Sequence, residues 1–348
     1  PTVPTMALFY LLGWAMLTRW PAQASPLLRG AMAAGIGGIV IWWLWSPRPF
    51  SREGQVRVTF LDVGQGDSAV IELPHGTVLL IDGGATYERF DMGRGVVAPF
   101  LWNRGIRRID HVIGTHPQLD HVGGLAWILA HFQVENFWTN GVRRNEEFWR
   151  RIERALAHRH LQERVAEEGR LMVEEADCRI DVLNPPPRRD PPTSGKQASL
   201  NNLSVVSELI CGDQRMLFTG DIERETLTRL VQSGHLGHLN LLKVPHHGAQ
   251  SSLEREWLNA VRPDVAVVSA GRRNPYGHPA GEVLAAYESV QSQVRRTDQD
   301  GAVWADLDLV RRHLSVHSTR EWQLQRALTP SPDWSIEQDN VQRLWRRW

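Results

Sequence analysis

The sequence predicts a layered α/β domain that follows two membrane-spanning helices. After residue 55, short apolar strands alternate with helices in two successive halves. Two uncharged apolar stretches occupy most of the first 48 residues. Clusters of His and Asp follow several of the predicted strands. With 348 residues, the chain is long enough for one large domain or two ordinary ones.

Composition limits the kinds of partner and site. Lys and Arg number 39 together, as do Asp and Glu, so the formal net charge is zero. A protein that holds duplex DNA over its whole surface is visibly basic, so nucleic-acid binding here must be local. The only cysteines are Cys178 and Cys211, with no Cys-x-x-Cys pair. We therefore expect neither a disulfide framework nor a cysteine-ligated zinc site.

The first 48 residues are predicted to form two transmembrane helices, the end of a larger membrane domain. The apolar stretches 2–18 and 30–47 are each just long enough to cross a hydrocarbon core of about 30 Å. The second is rich in Gly and Ala, which suits close helix contact in lipid, and it carries three Trp near its end, which suits the membrane interface. A pair of buried soluble helices is the alternative.

The rest of the chain divides into a linker, one domain and a tail. The segment 49–55 is the predicted linker, 56–314 the α/β domain, and 315–348 a basic, Trp-containing tail. Strands are predicted at 56–61, 69–73, 78–81, 111–114, 204–210, 216–218, 241–244 and 265–269. Helices are predicted at 97–104, 124–131, 148–164, 224–233, 252–261 and 281–289.

The strongest chemical signal is a loop between a predicted strand and a helix. It carries His116, Gln118, Asp120 and His121 within six residues. Two imidazoles and a carboxylate in one such loop can converge on a metal ion, and these donors suit zinc or manganese. A polar loop in which Asp120 caps the helix is the alternative.

Two further candidate ligand sites also follow predicted strands. Asp221 comes directly after the strand 216–218, and His246-His247 follow the strand 241–244. Open α/β sheets place their binding crevices at such strand ends. A lone Gly-Asp is usually a turn, and a His-His-Gly is more often a loop than a ligand. Three such sites in series are hard to attribute to chance.

These motifs resemble the metallo-β-lactamase superfamily, and more narrowly the C-terminal domain of the ComEC competence proteins. The superfamily likeness is carried by Asp82-Gly83-Gly84, His116-x-Gln118-x-Asp120-His121, Gly220-Asp221 and His247-Gly248. The narrower likeness is carried by the segments 61–68, 201–204, 243–248 and 274–279. The resemblance covers residues 56–309, and the preceding predicted helices match that family's arrangement.

The resemblance implies a four-layer αββα sandwich and a role in the uptake of transforming DNA. The membrane part of such proteins is thought to pass one strand, and the hydrolase-like part is proposed to degrade the other. The implied location is the bacterial inner (cytoplasmic) membrane, with several spans. The implied partners are DNA, the membrane and other DNA-uptake proteins. Charges flanking the predicted spans do not fix the side on which the domain lies.

The resemblance also implies a set of metal ligands, with two departures from the superfamily pattern. The set is His116, Gln118, Asp120, His121, Asp221 and His247. Gln118 stands where the superfamily has a second His, and no His occurs between residues 195 and 206, where the chain has Asn201, Asn202 and Ser204. A neutral amide is a weak ligand. We therefore expect one firm divalent ion, Mn or Zn, and a second, weaker site around His116.

Other residues receive supporting roles. Asp120 or Asp221 would orient the attacking water, and His246 or His278 would protonate the leaving oxygen. The predicted substrate contacts are Asn202, Ser204, Arg272 and Arg273. The predicted supports beneath the metal are Asp62, Asp67 and Asp82. A structural turn is the alternative for Asp62 and Asp67, as is a helix cap for His278.

The predicted function is therefore metal-dependent DNA cleavage within a membrane DNA-uptake system. Two alternatives remain. One is a scaffold domain of the DNA channel that no longer cleaves, which the Gln118 departure favours. The other is a hydrolase of the same fold that acts on a different phosphodiester or on a thioester.

Overall fold

The computed structural model describes residues 34–38, 54–144, 146–187 and 199–328. Residues 34–38 are helical, and the remainder of both predicted transmembrane helices lies outside the described residues. Within the described residues, no helix combines the length and apolar character needed to cross a membrane. Most of the predicted linker and the end of the predicted tail also lie outside them.

The described residues form two large mixed sheets with helices between the strands. The strands are β1 (Gln55–Phe60), β2 (Ala69–Glu72), β3 (Val78–Ile81), β4 (Arg108–Gly114), β5 (Gln133–Thr139), β6 (Glu163–Val165), β7 (Leu171–Glu175), β8 (Cys178–Asn184), β9 (Val206–Cys211), β10 (Gln214–Phe218), β11 (Leu241–Lys243), β12 (Val265–Val268), β13 (Gln293–Arg296), β14 (Val303–Asp308) and β15 (His313–Ser318). The helices are α1 (Ala98–Asn103), α2 (Leu119–Val122), α3 (Leu125–His131), α4 (Glu147–Arg159), α5 (Arg224–Gln232), α6 (Arg255–Val261), α7 (Gly281–Ser289), α8 (Thr297–Asp300) and α9 (Thr319–Leu328).

Each sheet joins an antiparallel part to a parallel part. The first sheet has the order β15-β14-β1-β2-β3-β4-β5-β6, and its strands from β3 to β6 are parallel. The second has the order β13-β12-β11-β10-β9-β8-β7, with β10 to β13 parallel. The parallel strands β4, β10 and β11 therefore deliver the loops that follow them to the crevice where the two sheets meet.

Three apolar clusters show that the layers are stacked helix, sheet, sheet, helix. The central cluster lies between the sheets, where the Phe60 and Phe218 rings stack with centroids 6.1 Å apart. A second cluster packs the first sheet against the helices around Trp149. A third packs the second sheet against the helices around Trp257. Central strands such as β3 and β12 are buried on both faces, which explains their continuous apolar sequences.

The described residues contain seven strands that were not predicted, β5 to β8 and β13 to β15, and three helices that were not predicted, α2, α8 and α9. The helix predicted at 148–164 ends at Arg159, because His160 adopts a left-handed conformation (φ 53°) and the chain turns into β6. Strand β15 pairs with β14 through Ser318, so the first sheet continues into the segment predicted as a tail. Helix α9 follows directly.

One disulfide also departs from the sequence analysis. Cys178 of β8 and Cys211 of β9 lie opposite each other in the antiparallel register and are joined by an S–S bond. They are 33 residues apart in sequence. Two cysteines at that separation become neighbours only when the strand register is fixed, and the spacing alone did not reveal the pair.

Candidate metal centre

Four side chains from three strand-to-loop junctions converge in the crevice. Asp120, His121, Asp221 and His247 each offer a ligand atom, and these atoms all lie within 4.8 Å of one another. Oδ2 of Asp221 is 3.1 Å from Nε2 of His121 and 3.2 Å from Nε2 of His247. Oδ2 of Asp120 is 3.5 Å from Nε2 of His247. The Asp120 side chain is 30% exposed, whereas the other three are buried, so solvent reaches the cluster from the Asp120 side.

Unusual backbone geometry brings these side chains together. After β11, His246 and His247 both adopt the left-handed backbone conformation (φ 48° and 54°). Two such residues in succession reverse the chain within a short loop. Gly66 (φ 133°) lies against α2, where a Cβ would come within 2.1 Å of the Asp120 carbonyl oxygen. The Asp67 N–H then donates to that same oxygen at 3.2 Å.

Each buried imidazole of the cluster is held through one ring nitrogen and presents the other. Nδ1 of His121 lies 2.8 Å from Oδ2 of Asp82, which also accepts a hydrogen bond from the Thr115 hydroxyl. Nδ1 of His247 donates to the carbonyl oxygen of Ser269 at 2.9 Å. These contacts place a hydrogen on Nδ1, so Nε2 is the atom that faces the cluster and would bind an ion in place of its proton.

The donor set fits a divalent ion. Among the described residues, Nε2 of His121 and Nε2 of His247 are buried without an oriented hydrogen-bond partner. Buried polar atoms are rarely left in that state unless a ligand completes them. Two imidazole nitrogens and two carboxylates suit zinc or manganese.

The charges of the cluster also favour a bound cation. Burial lowers the pKa of His121 and of His247, but the surrounding carboxylates, above all Asp221, outweigh burial and raise both pKa values well above the usual range. Burial raises the pKa of Asp221, yet His121, His247 and Lys243 hold it well below its usual range. The site therefore demands positive charge, which two protons or one metal ion can supply.

A buried lysine forms the floor of the site. Lys243 makes an ion pair with Asp67, lies 3.5 Å from Oδ1 of Asp221 and donates to the Gly220 carbonyl oxygen at 2.9 Å. Burial lowers the pKa of its ammonium group, but Asp67 and Asp221 raise that pKa above the usual value. Lys243 therefore stays charged and holds the two carboxylates in place.

The His116 side of the crevice is arranged differently. Nδ1 of His116 is 3.2 Å from the Ser204 hydroxyl, which accepts the Asp221 N–H at 3.1 Å. The amide nitrogen of Gln118 donates to Oδ1 of Asn201 at 2.5 Å. Only Nε2 of His116 is buried there without a hydrogen-bond partner among the described side chains. Burial, and next the charge of His121, lower the pKa of His116 to about 3.

Comparisons with known proteins agree with this architecture. The profile of the Metallo-beta-lactamase superfamily matches residues 61–193. ComE operon protein 3 of Bacillus subtilis is 30% identical over 284 residues, which are 78% of this chain and 35% of that protein. Competence protein ComA of Neisseria gonorrhoeae is 30% identical over 262 residues, 72% of this chain and 32% of that protein. Recombination protein 2 of Haemophilus influenzae is 28% identical over 247 residues, 71% of this chain and 28% of that protein.

The chain carries a metallo-β-lactamase domain of the ComEC family. The predicted resemblance is thereby confirmed, as is a metallo-β-lactamase fold built on two sheets. The chain spans roughly a third of the length of these relatives.

Of the three carboxylates predicted to lie beneath the metal of this ComEC-family domain, two are buried there and one is exposed. Asp82 and Asp67 are buried beneath the cluster, where Asp82 orients His121 and Asp67 contacts both Lys243 and His247. Asp62 is exposed instead, and its carboxylate accepts the N–H of Gly64 at 3.3 Å. The alternative reading of a structural turn therefore describes its setting.

The predicted substrate contacts also separate into two kinds. Asn202 is buried, with Oδ1 accepting the Glu223 N–H at 2.8 Å, and Ser204 is buried between His116 and Asp221. Both hold the loops of the site and neither side chain is open to solvent. Arg272 and Arg273 are exposed on the loop 271–279 and remain predicted contacts.

The two candidate proton donors lie at the rim. Nε2 of His246 is 3.8 Å from Oδ2 of Asp221, and its Nδ1 is 3.2 Å from Oε1 of Glu223. The His278 ring is 5.6 Å from the His246 ring, and its Nδ1 is buried without a hydrogen-bond partner among the described residues. Burial, then the neighbouring imidazoles, lower the pKa of His278.

Lys243 and Glu223 were not among the site residues predicted from the sequence. The lysine that ends the apolar strand β11 was a usable signal, because a buried lysine needs buried carboxylates. Glu223 gave no signal, since a glutamate two residues after a candidate ligand is common on any surface loop.

Proposed function

We propose that this domain is a metal-dependent phosphodiesterase that cleaves DNA during DNA uptake across the bacterial inner membrane. One observation carries the proposal: in the cluster of Asp120, His121, Asp221 and His247, the Nε2 atoms of both imidazoles face the two carboxylates within 4.8 Å. The name of one relative, competence protein ComA, supports the DNA-uptake setting. The fold supports a metal-dependent hydrolase.

The cluster would hold the divalent ion through His121, His247 and the carboxylates of Asp120 and Asp221. When bound, such an ion supplies an acidified water and stabilises negative charge on phosphoryl oxygens. Asp221 is buried between the two imidazoles, so it fixes their spacing. Asp120 is the solvent-facing carboxylate and would accept a hydrogen bond from the attacking water.

His246 is the favoured donor of a proton to the leaving oxygen. It stands at the rim beside the cluster, and Glu223 holds its Nδ1 while Nε2 faces Asp221. The Ser251 hydroxyl donates to the same Glu223 oxygen at 2.9 Å, which fixes that carboxylate in turn. A held tautomer with Nε2 directed at the site is what general acid catalysis requires.

We propose a second, weaker ion on the His116 side. His116 supplies one open nitrogen there, but the Gln118 amide is engaged with Asn201 and Ser204 bridges to Asp221. This side also keeps open the alternative of a scaffold domain that no longer cleaves. In either case the membrane, DNA and other DNA-uptake proteins are the proposed partners of the full protein.

The test is metal content and DNA cleavage by the 348-residue chain purified without chelator. We expect about one Mn or Zn ion per chain by elemental analysis and metal-dependent cleavage of DNA. Asp120→Ala should lower both, whereas Asp213→Ala, on an exposed turn, should change neither. Equal metal content in wild type and Asp120→Ala would contradict the metal assignment. Bound metal without cleavage of DNA would favour the scaffold, and cleavage of only non-DNA phosphodiesters or thioesters would indicate a different hydrolase.

A further inference from the structure

Two loops at the mouth of the site carry exposed aromatic side chains. Tyr276, on the loop 271–279, is 67% exposed, and Tyr87 and Phe90, on the loop 86–91, are 52% and 49% exposed. Single exposed apolar residues are normal on a protein surface. The loops of Tyr276 and Tyr87 adjoin the crevice, and the Phe90 ring lies over Gly95 just beyond the second loop. Large exposed rings grouped in this way indicate a ligand with apolar faces.

The loop 271–279 is held in a fixed shape. The amide nitrogen of Asn274 donates to the carbonyl oxygens of Gly271 and His278 at 2.9 and 2.6 Å, and its Oδ1 accepts the N–H groups of Tyr276 and His278 at 3.2 and 3.0 Å. The Tyr276 ring lies nearly parallel to the His278 ring, with centroids 5.7 Å apart and an angle of 26°. One face of His278 is therefore extended towards solvent by a second flat ring.

The loop 86–91 is fixed as well and adjoins the same site. It closes through a bridge between Thr86 and Asp91 and through the Tyr87 N–H, which donates to the Phe90 carbonyl oxygen at 2.7 Å. It lies against the end of α2, since a Cβ on Gly123 would come within 2.6 Å of the Thr86 nitrogen. Burial, then Asp120 and then Tyr276, raise the pKa of Tyr87, so its hydroxyl lies within electrostatic reach of both.

The charges beside the rings complement a polyanion. Arg272 and Arg273 are exposed on the same loop as Tyr276. The other loop carries Arg89 with Glu88 and Asp91. Arg272 donates to the Asp298 carbonyl oxygen at 3.3 Å and lies near the carboxylates of Asp62 and Asp298, so Arg273 is the cation with fewer acidic neighbours. Flat aromatic rings beside cations are the usual means by which proteins bind single-stranded nucleic acid without reading its sequence. A duplex hides its base faces, whereas a single strand exposes them.

We propose that Tyr276, Tyr87 and Phe90 form a stacking platform that receives the bases of single-stranded DNA beside the metal cluster. This inference rests on the proposed function and narrows it, because it makes a single strand the preferred substrate. Arg272 and Arg273 bind the backbone phosphates, and base stacking positions one phosphodiester at the cluster.

The test is binding of a fluorescein-labelled 20-nucleotide oligothymidine to the 348-residue chain, measured by fluorescence anisotropy in chelator so that no cleavage occurs. Wild type should bind this strand more tightly than a duplex of the same length. Tyr276→Ala should weaken binding to the single strand about tenfold, within the range of one lost base-stacking contact. Tyr276→Trp should restore binding, because a larger ring stacks at least as well.

Trp102→Leu is the matched control. Trp102 is an exposed aromatic residue (53%) on α1, packed against Trp127 and Phe132. Phe132 lies just before β5, at the opposite end of the sheet from the site. Trp102→Leu should therefore leave oligothymidine binding unchanged. Weaker binding by Tyr276→Ala would then be specific to that position and not a general result of removing an exposed ring.

The outcomes separate the platform from the phosphodiesterase. The platform is excluded if wild type does not bind the strand, if it binds the duplex as tightly, or if Tyr276→Ala and a Tyr87→Ala, Phe90→Ala double variant bind like wild type. Ring-dependent binding, with no metal-dependent hydrolysis of oligothymidine or of bis(p-nitrophenyl) phosphate, would leave the platform standing and remove the proposed activity. In an active enzyme, Tyr276→Ala should raise KM for oligothymidine about tenfold more than KM for the small phosphodiester.

Discussion

The His121–His247 side and the His116 side of the crevice contain similar residue types but differ in which polar atoms have hydrogen-bond partners within the protein. On one side, His121 and His247 have their Nδ1 atoms held by protein groups and their Nε2 atoms open towards Asp120 and Asp221. On the other side, the polar groups around His116 largely bond to one another, as Gln118 does to Asn201. A metal site is therefore identified by which donor atoms remain unsatisfied, and residue type alone is a weaker guide.

The largest expected effect concerns the charged floor of the stronger side. Lys243→Met would leave the buried carboxylates of Asp67 and Asp221 without their shared cation. Breaking a buried ion pair by removing one partner costs about 3–5 kcal/mol. We expect a loss of that size in the free energy of urea unfolding in chelator. Arg311→Met, at a position where the side chain is 83% exposed, should change it by less than about 0.5 kcal/mol. A loss below about 1 kcal/mol for Lys243→Met would show that the carboxylates do not depend on this lysine.

The next effect is on chemistry. Asp221→Asn keeps the side-chain volume but removes the charge between His121 and His247. We expect at least about a hundredfold loss of DNA cleavage at saturating Mn, which corresponds to about 2.7 kcal/mol of barrier. Asp213→Asn, on an exposed turn, serves as the control with the same substitution. Full cleavage by Asp221→Asn would remove the catalytic assignment of this carboxylate.

A smaller effect tests the His116 side through pH. The pKa of His116 is lowered to about 3 in the fold and is about 6.5 in an unfolded chain, so only the unfolded state takes up a proton as pH falls through 6.5. The stability contributed by a neutral His116 is therefore complete above pH 6.5 and is lost as pH falls from about 6.5 towards 3. Between pH 7.5 and 5.5 wild type should lose about 1.4 kcal/mol more than His116→Gln in chelator. Equal losses would mean that His116 is not held neutral.

The smallest expected effect comes from giving the His116 side of the crevice a better metal ligand. Gln118→His or Gln118→Asp replaces a neutral amide by a better ligand, and either should lower the Mn concentration for half-maximal cleavage by about three- to tenfold. Metal titration of the activity measures it, and elemental analysis checks whether metal content rises. If neither variant alters either quantity, position 118 does not ligate an ion.

The sequence predicted the parts of the fold whose strands are continuous apolar runs. Strands such as β3 and β12 are buried on both faces, so nearly every residue signals burial. Strands β7 and β8 carry charged residues at alternate or end positions and were not predicted, since half of each faces solvent. The edge strand β15 was assigned to a tail for the same reason.

The candidate site was predictable to the extent that its residues follow strands. Asp120, His121, Asp221 and His247 were proposed from their order along the chain, and the structure brings these four together. Residues whose role depends on a partner far away in sequence were less accessible. Lys243 forms an ion pair with Asp67, which lies 176 residues earlier in the sequence. A local sequence pattern does not reveal a contact at that separation. Asn202 was proposed as a substrate contact, but its side chain accepts the N–H of Glu223 at the start of α5. That contact becomes visible only in the folded structure.

The way the first sheet closes has a mechanical consequence. Strand β14 is hydrogen-bonded in an antiparallel register to β1 on one side and to β15 on the other, so β1 and β15 run in the same direction. Tension applied between residue 54 and residue 319 would therefore pull β1 and β15 along their own axes in opposite senses. The six residue pairs on each side of β14 then bear the load together in shear, and do not open one after another. Tension applied between these two positions would thus be shared by the hydrogen bonds on both sides of β14.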